Sequence, residues 1–344
     1  MKLGLNLGHL RGAGDLAKFE AVVEADRLGY GTVWVAEAYG SDAVSVLGYL
    51  AARTTSIGLG AAVLQIPART PAMTAMTAAT LDVLSQGRFS LGLGVSGPQV
   101  SEGWHGVDFA APLSRTREYV EVVRMALARE PVSYRGKHHV LPRDGGRPIK
   151  LSVRPVRDRI AVYLAALGPG NLRLAGAVAD GWLGLFLSPG HVGERLKEIA
   201  SGRAEAGATL EGFDVVASMP VVFGDDVSAC ADKVRAHTAL YVGGMGSREH
   251  NFYNALAARM GFATAAAEVQ ELYLSGRQAE AAAALPLEFL DQTCLLGPLE
   301  RVAERLQAFA EAGVTTLSMV EVEPGDTVNK VRMLAAAYEL AGLT

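Results

Sequence analysis

Cysteine is scarce. Cys230 and Cys294 are the only two in 344 residues. They stand far apart and match no metal or redox spacing, which excludes a disulfide framework and makes a reducing cytoplasm the expected compartment. Histidine is thin too: seven residues with no HxxxH or HxH arrangement, so no metal centre is expected. Basic charge is nowhere concentrated. The 32 Lys and Arg are outnumbered by 36 Asp and Glu, giving a net charge of −4, and no cluster suits nucleic acid or polyphosphate. Every long apolar run is interrupted by glycine, proline or charge, so no membrane span is expected. The opening "MKLGLNLGHLRGAGDL" is too short and too broken by glycine for a signal peptide. Low complexity is confined to "QAEAAAAL" (278–285). What remains, 50% hydrophobic and 20% charged, is the composition of a globular enzyme acting on a small molecule.

Short β-like runs alternate with helical patterns along the chain. Strands are expected at 3–7, 32–37, 57–64, 89–94, 160–167, 181–187, 214–224 and 314–320. Between the first two, Leu16, Phe19, Val22, Val23 and Leu28 recur at helical spacing and Gly29 stops the run. A helix at 70–87 opens with Pro71 in its first turn and closes on Gly87. Further helices are expected at about 114–129, 170–179, 189–207 and 326–341, with a hairpin at 131–141 turning at Gly136. Residues 225–293 are mostly helical, far more than one crossover requires. Eight βα alternations predict an α/β fold of the TIM (β/α)8 barrel type, with a doubly wound sheet as runner-up. The expected organisation is one domain over 1–344 with a helical insertion at about 225–293.

One motif tests that choice. "FSLGLGVSG" (89–97) carries Gly92-x-Gly94-x-x-Gly97 after a strand-like run, the dinucleotide-binding pattern. In that fold a helix begins at once and an acidic residue ends the next strand about 20 positions on. Here Pro98 follows Gly97, "PQVSEGWHGVDFAAP" reads as loop, and the motif falls on the fourth strand. The Rossmann reading fails, and the glycines need another explanation. Nor is Ser96 the centre of a GxSxG elbow, so the hydrolase elbow is absent.

Several stretches together resemble the luciferase-like superfamily of TIM-barrel oxidoreductases, in particular the branch using the 5-deazaflavin coenzyme F420. They are "GYGTVWVAEAYGSDA", "IGLGAAVLQIPARTPAMTAMTAATLDVLSQGRFSLGLGVSGPQVSEGWHG", "VSYRGKHH", "YLAALGPGNLRLAGAVADGW" and "YVGGMGSREHNFYNALAARMG". The resemblance covers nearly the whole chain and implies a bacterial luciferase-like barrel binding F420, with FMN as the alternative. A homodimer is expected.

Candidate site residues lie at inferred strand ends, where a barrel of this type carries its chemistry. "LGPGN" (167–171) opens a helix without bulky side chains. Its N–H groups and dipole suit an anion, though an ordinary Pro/Gly turn reads the same way; the resemblance points to the cofactor phosphate at Gly168, Pro169 and Gly170. By resemblance, Ser96, Gly97, Pro98, Gln99 and Ser101 contact the deazaflavin ring and ribityl chain. The Ala62–Val63 peptide matches the place where relatives carry a non-prolyl cis bond that supports the ring. Glu37 ends the second strand. Relatives place an acid–histidine pair there, whereas this chain has Glu37-Ala38, which favours reduction of an activated C=C or C=N bond over alcohol oxidation. Glu37 is the expected proton donor, with Tyr39 as the alternative and His9 on the same face. An FMN-dependent monooxygenase and a non-enzymatic flavin-binding barrel remain the competing readings.

Overall fold

A computed structural model describes residues 1–322 and 325–343. Eight parallel strands close into a barrel: β1 (Lys2–Asn6), β2 (Thr32–Val35), β3 (Gly58–Ala61), β4 (Phe89–Gly94), β5 (Val162–Ala165), β6 (Gly181–Leu185), β7 (Asp214–Phe223) and β8 (Thr316–Val320). Neighbours in sequence pair in space, and β8 returns to β1 with Lys2 opposite Thr316 and Asn6 opposite Val320. Because every strand is covered inside and out, both faces are apolar. Leu5, Val33, Leu59, Leu91 and Val162 are all fully buried.

The helices between strands begin and stop on local chemistry. Helix α1 (Lys18–Arg27) is followed by α2 (Ala43–Arg53), where the Asp42 side chain caps the Ser45 N–H. Helix α3 (Pro71–Leu84) starts at Thr70, whose hydroxyl accepts from Met73 N–H, with Pro71 behind it. It ends where Gln86 and Gly87 take positive φ. The expected hairpin is present, with Gly136 N–H donating to the His139 carbonyl.

Three local expectations change. The third strand is not one run over 57–64: it breaks after Ala61, passes through a cis Ala62–Val63 bond, and resumes as Leu64–Gln65 beside β4. The segment after Gly97 is not all loop. Gly97 is the N-cap of a short helix α4 (Pro98–Gly103) that Pro98 begins from its fixed φ, and α5 (Pro112–Leu127) follows. Finally, a strand at Leu295–Gly297 extends the sheet beyond the C-terminal half of β7. A helix over Leu299–Glu311 then precedes β8.

The glycines of the 89–97 motif now have their job. A Cβ on Gly92 would lie 1.8 Å from the Ala61 carbonyl oxygen, and one on Gly94 would lie 2.5 Å from Val63 Cγ2. They leave room for the neighbouring strand where it breaks. Gly97 has open space around it.

After β5 and β6 come α6 (Pro169–Val178) and α7 (Pro189–Glu205). Their backbones meet closely, since a Cβ on Gly176 or Gly202 would strike a carbonyl of the other helix. Between β7 and Leu295 lie α8 (Val227–Ala239), α9 (Phe252–Ala257), α10 (Ala263–Leu274), α11 (Gln278–Ala283) and α12 (Leu287–Thr293). They form a second apolar cluster around Phe186, Val234, Val269 and Phe289. Two π-helical turns interrupt them, at Leu240–Gly244 and Ala258–Phe262. Asn251 and Asn254 hold the first: both side-chain amides donate to the Val242 carbonyl, at 3.0 and 3.1 Å. The last helix, Thr327–Leu340, packs beside α1.

Candidate active site

The loops after β1, β2 and β3 are tied together at the C-terminal mouth. Ala36 N–H donates to the Gly8 carbonyl at 2.9 Å, Glu37 N–H to Val63 at 3.3 Å, and Leu10 N–H to the Ser41 hydroxyl at 2.9 Å. His9 stacks against Gly40 so closely that a Cβ there would be 2.2 Å from the imidazole Cδ2. His9, Glu37, Tyr39, Ala62 and Val63 therefore converge on one rim. Burial, then the charges of Arg11 and Lys18, pushes the His9 imidazole below its ordinary value, so the neutral ring is favoured.

Glu37 is held rather than free. Its side chain is 9% exposed, and Oε1 accepts from Arg69 Nη2 at 2.8 Å and from Ala43 N–H at 3.2 Å. Arg69 also reaches Asp42 at 2.9 Å. The Arg69 guanidinium and the Ala43 N–H fix Oε1 in place at the rim of the cleft. Tyr39 stands 59% exposed at the lip.

The loop after β4 borders the same rim. Ser96 takes a positive φ of 61° and Gly97 caps α4. Pro98 is half-buried and Gln99 exposed. Ser101 faces inward instead: it is 2% exposed, and its hydroxyl donates to the Val107 carbonyl at 2.6 Å. It shapes the loop from within.

Gly168 caps α6 with no side-chain hydrogen bond to the helix start. A Cβ on Gly168 would meet nothing within 4 Å, and no side chain caps the first-turn N–H groups, which are the groups an anion would use. Arg259 adds charge beside it, donating to the Leu167 carbonyl at 3.2 Å. Arg195 is buried nearby, and burial followed by the Arg259 charge lowers it to about 10. The Gly168–Pro169–Gly170 turn stands on β5, three strands around the barrel from Glu37 on β2.

The helices after β7 join Phe186 in an aromatic cluster. Tyr241, carried on the first π-turn, packs against Phe186, Tyr253 and His237, with centroids at 5.7, 4.9 and 5.0 Å. Neither this cluster nor Arg69 and His105, which line a cleft with Glu37 and Gln65, was foreseen from the sequence. Gln65 carried one weak signal, as a polar residue that ends a run of small and apolar ones. Among the described residues no three His, Cys, Asp or Glu side chains gather as metal ligands. No helix among them is long and apolar enough to cross a membrane.

The chain belongs to the luciferase-like monooxygenase family, whose model matches residues 10–316. It is similar to a coenzyme F420-dependent oxidoreductase of Mycobacterium tuberculosis, 42% identical over 98% of both chains. It is also similar to a 5,10-methylenetetrahydromethanopterin reductase of Archaeoglobus fulgidus, 28% identical over 85% of each. Among solved structures, the coenzyme F420-dependent tetrahydromethanopterin reductase of Methanopyrus kandleri shares the fold with a TM-score of 0.83. That pair is 24% identical, over 98% of this chain and 97% of the other.

Proposed function

We propose that this chain is an F420-dependent oxidoreductase that moves hydride between the deazaflavin and a small organic substrate, reducing an activated C=C or C=N bond. The observation that carries the reading is the 42% identity, along 98% of both chains, to an F420-dependent oxidoreductase. The residues fit such a cofactor, because the open, uncapped start of α6 is a cradle for its phosphate. When bound, the deazaflavin supplies hydride from the carbon that stands where a flavin has N5.

The chain's own contribution is binding, orientation and exclusion of water. Gly168, Pro169 and Gly170 would hold the phosphate, with Arg259 as a neighbouring cation. Ala62 and Val63 would back the ring, with Gly92 and Gly94 giving their strand room. Ser96, Gly97, Pro98 and Gln99 would flank the ring and ribityl chain, and Ser101 would act through the loop it ties to Val107. The Glu37–Arg69 pair fixes the polar side of the cleft.

We read residues 1–344 as one domain with the helices of about 225–293 as its insertion, and the protein as a cytoplasmic homodimer. The exposed face of α3, with Met73, Met76, Val83 and Leu84, supports the dimer. Its single charge, Asp82, is buried against Arg157. The test of function is turnover of purified protein with reduced F420 against cyclohex-2-enone and a cyclic imine, and with oxidised F420 against 2-propanol. Consumption of an enone or imine supports the reading. Oxygen uptake with reduced FMN, and no F420 turnover, overturns it.

A further inference from the structure

Beside Glu37 the cleft contains a second polar chain whose hydrogen positions are fixed by elimination. Gln65, just past the Ala62–Val63 bulge, is 3% exposed. Its Nε2 lies 2.8 Å from the Ala38 carbonyl oxygen. A carbonyl only accepts, so the amide nitrogen faces it and Oε1 is left for His105, whose Nε2 is 2.9 Å away. An amide oxygen also only accepts. The imidazole therefore donates through Nε2, which sets the neutral ring as the Nε2–H tautomer and leaves the Nδ1 lone pair uncommitted. The ring is anchored from its own backbone too, His105 N–H donating to the Val100 carbonyl at 3.1 Å.

The two carboxylates of this cleft are paired with one guanidinium. Glu37 accepts from Arg69 and from Ala43 N–H. Asp42 accepts from Arg69 and from Ser45 N–H. Arg69 holds both acids, and a guanidinium does not give up its proton at working pH. His105 stands outside this ion-pair network, with Nδ1 as its open position.

We propose that His105 is the proton-exchanging residue of this cleft and that Gln65 is its positioning residue. In the oxidative direction the substrate O–H or N–H bond breaks and its proton joins Nδ1. The hydrogen on the adjacent carbon leaves with its electron pair as hydride for the oxidised cofactor, and a C=O or C=N bond forms. In the reductive direction the imidazolium returns the proton while the reduced cofactor delivers the hydride. The chain thereby supplies, from the loop after α4, an imidazole beside the backbone of Ala38, and alcohols and carbonyls join imines in the substrate class the cleft can serve. This inference rests on the hydride-transfer reading above.

The test has one arm without cofactor. Long-range 1H–15N correlation on the unliganded protein, with the ring neutral, is expected to show His105 protonated on Nε2, a preference that Gln65→Met abolishes. In the second arm, His105→Gln keeps a donor towards Gln65 but has no Nδ1. Turnover of the substrates in the panel is expected to fall at least ~100-fold with F420 affinity within about threefold of wild type. Free imidazole is expected to restore part of the activity of His105→Ala. An Nδ1–H tautomer, a His105→Gln enzyme within a few-fold of wild type, or affinity falling in step with turnover each overturns the proposal. If the wild-type protein consumes no member of the panel, the functional reading fails and the tautomer alone decides this one.

Discussion

Replacing Gly92 by alanine would place a methyl carbon 1.8 Å from the Ala61 carbonyl oxygen and 2.9 Å from Leu183 Cδ1. Real carbons do not approach an oxygen so closely, and the obstacle is backbone in a paired strand rather than the mobile end of a side chain. Either β3 or β4 must shift. Overpacking of a closed core costs about 1–3 kcal/mol, and a backbone obstacle puts Gly92→Ala at the upper end, about 3 kcal/mol. Gly97→Ala is the control. It lies in the same motif, has an extended φ of −123° and meets nothing within 4 Å, so its effect should stay within about 0.5 kcal/mol. Urea unfolding followed through the buried Trp34 and Trp182 indoles reads both. The reasoning is refuted if Gly92→Ala is as stable as wild type, or if Gly97→Ala costs as much as Gly92→Ala. The first result would mean that these glycines are not spacers between strands.

Three other outcomes are expected. Gly168→Glu should weaken F420 binding at least tenfold, about 1.4 kcal/mol, by setting a carboxylate at the phosphate cradle; with no atom within 4 Å of that Cβ, the unfolding midpoint should not move, and unchanged affinity in calorimetry would place the phosphate elsewhere. Met76→Glu, in the uncharged face of α3, should convert the dimer to a monomer of 36.1 kDa by light scattering, and a wild-type monomer would refute the interface. Burial, then the Arg11 charge, lowers His237 to about 4 from an ordinary 6.5. Such a group contributes stability present above the unfolded value and lost as pH falls through the folded one, here up to about 3 kcal/mol between pH 6.5 and 4. Denaturant melts of His237→Gln should therefore fall less steeply over that window than wild type, and equal slopes would contradict the assignment.

The barrel was legible because parallel strands buried on both faces print as unbroken apolar runs, and "TVWV" and "FSLGLG" stand out between amphipathic helices. The break after Ala61 is less visible, since "IGLGAAVL" is apolar on both sides of it and only the small Ala61 and Ala62 hint at a bulge. Helix α4 was missed because six residues, "PQVSEG", are too few to show a helical period. Leu295–Gly297 is shorter still. Strand-end position put His9, Glu37 and Tyr39 at the barrel mouth, but nothing in local sequence could say that Glu37 pairs with Arg69, 32 residues on. Gln65 and His105 are 40 residues apart, joined only because the bulged strand and α4 meet at the mouth. Spacing rules record neighbours along one element. They are silent about partners that a fold brings together from different loops.

The claim that decides the rest is the identity of the cofactor. Isothermal titration of the purified chain with F420 and with FMN addresses it directly, because both carry a ribityl phosphate and they differ at the ring and beyond the phosphate. The account predicts F420 binding at least tenfold tighter than FMN, a difference of about 1.4 kcal/mol. FMN binding tenfold tighter than F420 would contradict it and make the chain a flavin enzyme of the same family.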